Sequence, residues 1–255
     1  MFRPLVTLPL SGQIVTFSVF HYAPKNRFWA LAQMGLAPRQ LQKVPGLSFA
    51  KLMGSGRGGF GVLPDWGRYA LLGVWEDDAA AGAFFGSPLL DAFRRRAAET
   101  WSVKMLPLRT HGQWDGVAPF VPQPVAPPPG LPVAVLTRAS IRPGALVDFW
   151  RNVPQASRNL YGSDALLYSV GVGEKPLVQQ ATVSFWRDAA ALEAFAYRQP
   201  GHKEIVRRTR ERKWYSEELF ARFLPVATEG TCGGKDVLAE YGPADHQAPH
   251  RELAG

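Results

Sequence analysis

The stretch Tyr69–Phe84, YALLGVWEDDAAAGAF, is repeated in outline at Gln180–Phe195, QATVSFWRDAAALEAF. Trp75, Asp77, Ala79, Ala80, Ala83 and Phe84 recur as Trp186, Asp188, Ala190, Ala191, Ala194 and Phe195, a constant 111 residues on. A second block keeps step at 118 residues: Leu106, Pro107, Thr110, Gly112 and Gly116 return as Leu224, Pro225, Thr228, Gly230 and Gly234. Such a period means two copies of one unit. The second copy carries about seven extra residues between the blocks.

Working outward, each copy has the same order of elements. The first opens with a strand at Ile14–Phe20 (IVTFSVF), then a helix over about 27–34, a strand near 47–53, a Gly-rich turn and a strand at Tyr69–Trp75. The second opens with Val133–Arg138 and a helix over about 145–152, where Leu146, Phe149, Trp150 and Val153 fall at i, i+3, i+4 and i+7. Strands follow at Ala165–Val170 and Ala181–Trp186. Asp77 and Asp188 are placed to cap the Ala-rich helices after them. Each copy closes with a basic helical stretch and a short strand ending in Leu-Pro. Strand–helix–strand–strand–helix–strand is the ferredoxin-like pattern. Its tandem duplication predicts an α+β fold, a pseudo-symmetric barrel of the dimeric type made by one chain. The expected division is a first repeat over 1–116, a linker over 117–132, a second repeat over 133–234 and a loose tail over 235–255. The linker holds seven prolines, which excludes helix and central strand.

Of the 255 residues 46% are hydrophobic, enough for a packed core, and no apolar run reaches the roughly 20 residues that span a bilayer. The opening MFRPLVTLPLSG lacks a cleavage-site pattern, so no secretory leader is expected. Cys232 is the single cysteine, which excludes an internal disulfide and fits a cytoplasmic protein. The net charge of +8 draws the chain to acidic proteins, anionic headgroups or nucleic acid, or is simply an Arg-rich solvated surface. The segment K/R-G-F/Y-G/A-F-V-x-F/Y of RNA-binding ferredoxin-like modules is missing from the sequence, which disfavours nucleic acid.

Gly54-Ser55-Gly56-Arg57-Gly58-Gly59 satisfies G-x-G-x-x-G, but Pro64 follows too soon for the helix that a dinucleotide site needs, so a hairpin turn is expected. Cys232 aligns with Trp114 at the close of the first copy, and a turn accounts for it without a thiolate ligand. The five histidines have no zinc spacing. His202 stands apart. It opens the segment HKEIVRRTRER, with Ile205, Val206 and Thr209 on its stripe, and the first copy has Asp91 in its place. A helix N-terminus keeps imidazole neutral, the metal-binding form. The alternative is a buried structural histidine or a cap. Arg207, Arg208, Arg210, Arg212 and Lys213 form a basic run there, as Arg94, Arg95 and Arg96 do in the first copy.

The run Gln180–Phe223 also carries S-x-W-R-D, A-F-A-Y, the histidine-headed segment and R-x-T-R-E-R-x-W-Y-S-E-E-L-F-A-R-F, and P-x-x-x-E-G-T follows at Pro225–Thr231. In these motifs the chain resembles the spheroidene monooxygenase family. The resemblance implies oxidation of an acyclic carotenoid to a hydroxy or keto product, with haem b, O2 and electrons from an acidic ferredoxin. It implies His202 as the proximal iron ligand, by analogy with haem-binding α+β barrels that hold iron from their C-terminal module. Ile205, Val206, Phe195, Trp186 and Arg207 are the expected cofactor neighbours. Arg138, Ser184 or Thr182 is the expected hydrogen-bond donor on the other side. A lipid-soluble substrate implies peripheral membrane contact. Two other readings remain open: a haem enzyme of the same fold with another reaction, such as aldoxime dehydration, and a non-catalytic binding protein.

Overall fold

The computed structural model describes residues 1–59, 61–198, 207–209 and 211–242. After a two-residue strand β1 (Arg3–Pro4), the first repeat runs β2 (Ile14–His21), α1 (Arg27–Leu41), β3 (Leu47–Gly56), β4 (Pro64–Trp75), α2 (Asp78–Phe85), α3 (Pro88–Arg94) and β5 (Glu99–Gly112). The second runs β6 (Val133–Ile141), α4 (Leu146–Tyr161), β7 (Leu166–Gly173), β8 (Gln179–Trp186), α5 (Ala189–Arg198) and β9 (Tyr215–Gly230). Asp77 accepts from the Ala80 N–H at 2.8 Å and Asp188 from Ala191 at 2.7 Å, so both capping aspartates act as expected.

Within each repeat the last strand pairs with the first, the first with the third and the third with the second: β5-β2-β4-β3 and β9-β6-β8-β7. This is the ferredoxin-like order, twice. The repeats then join into a closed barrel through two seams. β5 and β9 pair along their length, from Trp101 opposite Gly230 to Gly112 opposite Leu219. β3 and β7 meet only at Gly54–Gly173 and Ser55–Val172. Closure leaves none of the eight barrel strands as an open edge.

Alternation along the strands sends one set of side chains inward. Val15, Phe17, Val19, Trp101, Val103 and Met105 from the first repeat meet Leu136, Val183, Phe185, Leu219, Ala221 and Phe223 from the second in a single buried core. The opposite face of the first repeat lies under α1, α2 and α3, where Phe20, Tyr69, Leu71, Trp75, Phe84 and Phe93 pack. The proline-rich connection over 117–132 is pinned by buried Phe120 and Leu131, and the Phe120 ring meets that of Phe223 edge-on at 5.0 Å.

Three sequence expectations change. Both α1 and α4 outrun their predicted ends, passing through Pro38 and Pro154. Proline removes one helix hydrogen bond, but α4 continues past it to Tyr161, with Leu160 partly buried against Val133, Val135, Trp186, Leu192 and Phe195. The segment after Lys235, expected to be loose, is tied down as far as Gly242. Leu238 is buried in the barrel core, and Asp236 accepts from Trp101 Nε1 at 2.9 Å and from Arg3 Nη2 at 2.7 Å. Among the described residues no helix is long and apolar enough to cross a membrane.

Candidate functional site

The G-x-G-x-x-G match is a hairpin turn, as expected. Gly58 and Gly59 have φ of +66° and +90°, Arg57 N–H bonds Leu63 O, and β4 follows instead of a helix. Cys232 also sits in a turn, its N–H bonded to Lys235 O, and burial pushes its thiol pKa up, away from thiolate. His21 lies 3.4 Å from Glu99 and His111 is exposed. His202, Ile205, Val206, Arg210, His246 and His250 lie outside the described residues, so the proposed iron ligand has no geometry here.

The face of the second repeat that bears α4 and α5 differs from its twin in one respect. α1 buries Ala30, Gln33, Ala37 and Leu41 against its sheet. α4 is a 16-residue helix with a clear apolar stripe, yet none of its residues is buried. The sheet beneath explains this. Opposite Trp75 stands Ile14, and opposite Trp186 stands Val133, so the two registers correspond. Counting along them, Phe20, Leu71 and Tyr69 of the first repeat become Ala139, Thr182 and Gln180 in the second. Each change is to a smaller or more polar side chain. At these three positions the second repeat places less apolar volume under its helix than the first.

What remains on that face is graded. Val133, Val135, Trp186, Leu192 and Phe195 form an apolar wall, with the Trp186 and Phe195 rings 4.6 Å apart. Beside it Ser169, Ser184, Val135 and Arg222 stand in one row across β7, β8, β6 and β9. Ser184 Oγ accepts from Trp186 Nε1 at 2.9 Å. Ser169 Oγ and Arg222 Nε are buried without a hydrogen-bond partner, as is Asn159 Nδ2 on α4. Buried polar atoms rarely stay unpaired; Tyr22 Oη in the first repeat and Tyr168 Oη are others. The sequence does not single out Ser169, Asn159 or Arg222. Only strand register places Ser169 opposite Ser184 and Arg222 opposite Val135.

The basic segment at 207–213 is anchored to α4. Arg208 bonds Asn152 Oδ1 at 3.0 Å, and Arg212 pairs with Asp148 at 2.6 Å, with Trp214 Nε1 on the same carboxylate at 2.8 Å. Those bonds from Arg212 and Trp214 hold the Asp148 carboxyl below its usual range. Arg207, expected beside a cofactor, pairs with Glu211 in an exposed i, i+4 bridge. Arg142, Arg212 and Lys213 line an open cleft of about 590 Å³ at the N-terminal end of α4.

Arg138 is separated from Ser184 and Thr182. Its side chain is 1% exposed and turns into the barrel, the face opposite theirs. There it pairs with Glu217 and with Asp115 Oδ1 at 3.0 Å, its guanidinium 5.5 Å from the Trp114 ring. A group bound under α4 therefore meets the two hydroxyls and not Arg138.

These features define a duplicated ferredoxin-like barrel whose two helix-bearing faces differ, α1 being buried against its sheet and α4 not. That architecture is shared with solved aldoxime dehydratases. One covers 89% of this chain at a TM-score of 0.57 and 12% identity, and one in complex with butyraldoxime covers 88% at 0.58 and 10%. At such identities the likeness is one of fold. No protein-family model matches the chain. Curated relatives do. It is 39% identical over 230 residues to the spheroidene monooxygenase of Rhodobacter capsulatus, covering 89% of this chain and 95% of that one. It is 36% identical over 233 residues to that of Cereibacter sphaeroides, covering 89% and 71%, and 38% identical over 226 to that of Rubrivivax gelatinosus, covering 88% and 86%. The chain belongs to the spheroidene monooxygenase family.

Proposed function

We propose that the protein is a haem-dependent monooxygenase that oxidises an acyclic, spheroidene-like carotenoid to a hydroxy or keto product, using O2 and reduced ferredoxin. Family membership carries the reading. The structure supports it through the smaller side chains at Ala139, Thr182 and Gln180 and the unpaired Ser169 Oγ and Arg222 Nε on the same sheet, which leave room and polar edges for a flat, largely apolar group such as haem b.

In this reading the space between α4 and the β7-β8-β6-β9 face holds the cofactor. His202 is its proximal ligand, with Ile205 and Val206 beside it and Trp186 and Phe195 along its edge. Haem supplies the oxygen activation, and the protein supplies position, dryness and charge. Ser184 and Thr182 donate hydrogen bonds on the sheet side. Ser184 already accepts from Trp186, which leaves its own proton free to point outward. The apolar wall of Val133, Val135 and Leu192 excludes water and aligns a hydrocarbon chain. Two hydroxylations at one carbon, followed by loss of water, give a ketone. Arg142, Arg212 and Lys213 offer an acidic ferredoxin a basic landing place. A substrate that resides in lipid requires the protein to reach a membrane surface from a cytoplasmic location.

The test is an absorption spectrum of the purified protein beside His202→Ala. A Soret band is expected in the first and its loss or strong shift in the second. Unchanged haem content in the variant removes His202, and no Soret band even after haemin addition removes the cofactor. Turnover of an aldoxime without turnover of carotenoid would overturn the substrate class.

A further inference from the structure

The narrow seam between β3 and β7 is flanked by apolar side chains that the fold leaves uncovered. Phe28 on α1 is 86% exposed, Leu63 63% and Val147 on α4 64%. Val62, Trp66 and Leu177 are exposed beside them. A shared groove ties these together: Leu31, Val62, Trp66, Trp150 and Leu177 all line one depression running from α1 to α4 across the seam. Phe28 is one helical turn before Leu31, and Val147 one turn before Trp150. The loop that carries Val62 and Leu63 is drawn toward α4. A Cβ on Gly59, whose φ is +90°, would stand 2.3 Å from the Tyr161 hydroxyl. Isolated exposed apolar residues are ordinary, but a contiguous set on two helices and a loop marks a contact surface.

Among the described residues, four cations beside it lack an acidic partner. Arg27, Arg57, Arg151 and Lys175 are exposed, and none is within ion-pair distance of a carboxylate among the described residues. The acids in the groove are already engaged, Asp65 with Arg68 at 3.1 Å and Glu174 with Lys51 at 2.7 Å. Apolar side chains ringed by unpaired cations complement a bilayer that presents anionic headgroups above an apolar interior.

We infer that this face, with the loop tip Val62–Leu63 as its inserted point, docks the protein on an anionic lipid surface. The inference rests on the lipid-resident substrate proposed above and specifies where the protein meets the lipid. The groove takes in Trp150 of α4 and Gln180 on the sheet face that bears α4, so docking sets this edge of α4 and its sheet against the bilayer. A hydrocarbon substrate then passes from lipid to protein without crossing water.

The experiment is sedimentation of the full chain with vesicles of phosphatidylcholine alone or mixed with phosphatidylglycerol. Binding is expected to the mixed vesicles and to weaken as salt screens the cations. Leu63→Glu and Val62→Glu are expected to weaken it about tenfold or more, the scale of one buried aliphatic side chain. Val121→Glu, an equally exposed position on the linker, is expected to leave it unchanged. Both loop positions are exposed, and thermal unfolding checks that the variants remain folded. Failure to sediment with anionic vesicles overturns the inference, as does full affinity in both loop variants. A dimer in ultracentrifugation that Leu63→Glu dissociates overturns it in favour of a second copy as the occupant. Haem content is read on the same samples. A protein that keeps its Soret band but ignores vesicles sinks only this surface, and one that binds vesicles without haem sinks only the proposed cofactor.

Discussion

Arg138 shows how one buried charge is kept. It occupies the position that Val19 holds in the first repeat, inside an apolar barrel, where an unpaired guanidinium is not tolerated. Asp115 and Glu217 neutralise it, while Lys51 bridges Asp115 to Glu174 and Glu174 accepts from Trp114 Nε1 at 2.7 Å. Burial pushes the Asp115 carboxyl up, but the nearby Lys51 and Arg138 charges outweigh it and leave the carboxyl below its usual range. Arg138→Ala strands these carboxylates, and a loss of about 3 kcal/mol is expected in denaturant unfolding. The sequence marks Arg138 as unusual for a strand, but it does not show which face the side chain takes. That depends on register, where a one-residue difference exchanges barrel interior for helix side. Ser184 is legible as a helix-side residue only through its two-residue step from Trp186.

Two turns, one per repeat, act as a matched pair of clasps. Glu217 at the start of β9 accepts from the Asp115 and Gly116 N–H groups at 3.0 and 2.8 Å, in the turn that ends the first repeat. Glu99 at the start of β5 accepts from Gly233 and Gly234 at 2.9 and 2.6 Å, in the turn that ends the second. Each clasp thus holds the other repeat. Burial raises both carboxyl pKa values, but the backbone N–H groups, with Arg138 at Glu217 and His21 at Glu99, win and lower them. A carboxylate with a lowered folded pKa stabilises fully above its unfolded value, near 4.3, and progressively less below it. The melting temperature is therefore expected to fall as pH drops from about 4.3 toward the lowered values, and less steeply in the Glu99→Gln, Glu217→Gln double variant. Beneath α4 a different experiment applies. Thr182→Leu restores the residue of the first repeat, Leu71. Under the proposed function it is expected to preserve or raise thermal stability while haem content drops, read from melting and Soret absorbance together; unchanged haem content would place the proposed cofactor elsewhere. The duplicated elements were readable because each copy repeats the other's spacing. The length of α4 was not, since Pro154 argues locally for a stop and the helix runs through it to Tyr161.

At the scale of the whole molecule the barrel is one cooperative object, because residues of both repeats fill a single core. Phe120→Ala, which removes the linker ring from Phe223, is expected to cost about 3 kcal/mol or more in global unfolding. Amide exchange is expected to be faster at Ser55 and Val172 than along Val103–Leu106 and Leu224–Thr228, since the first seam has two paired positions and the second eleven. The doubled barrel follows from the repeat alone. How its tail closes does not, because Asp236 and Leu238 find their partners by position in space, with no periodic pattern to announce them. That closure has a further meaning for how the chain is wired. Arg3 reaches Asp236, Leu238 O and Tyr241 O, and Leu5 N–H bonds Val226 O at 2.8 Å, so residues 1–5 and 236–241 are neighbours. A circular permutant that splices Gly242 to Met1 through a short glycine-serine bridge, with new ends opened at Pro128–Pro129, would exchange the order of the repeats along the polypeptide while leaving their arrangement in space unaltered.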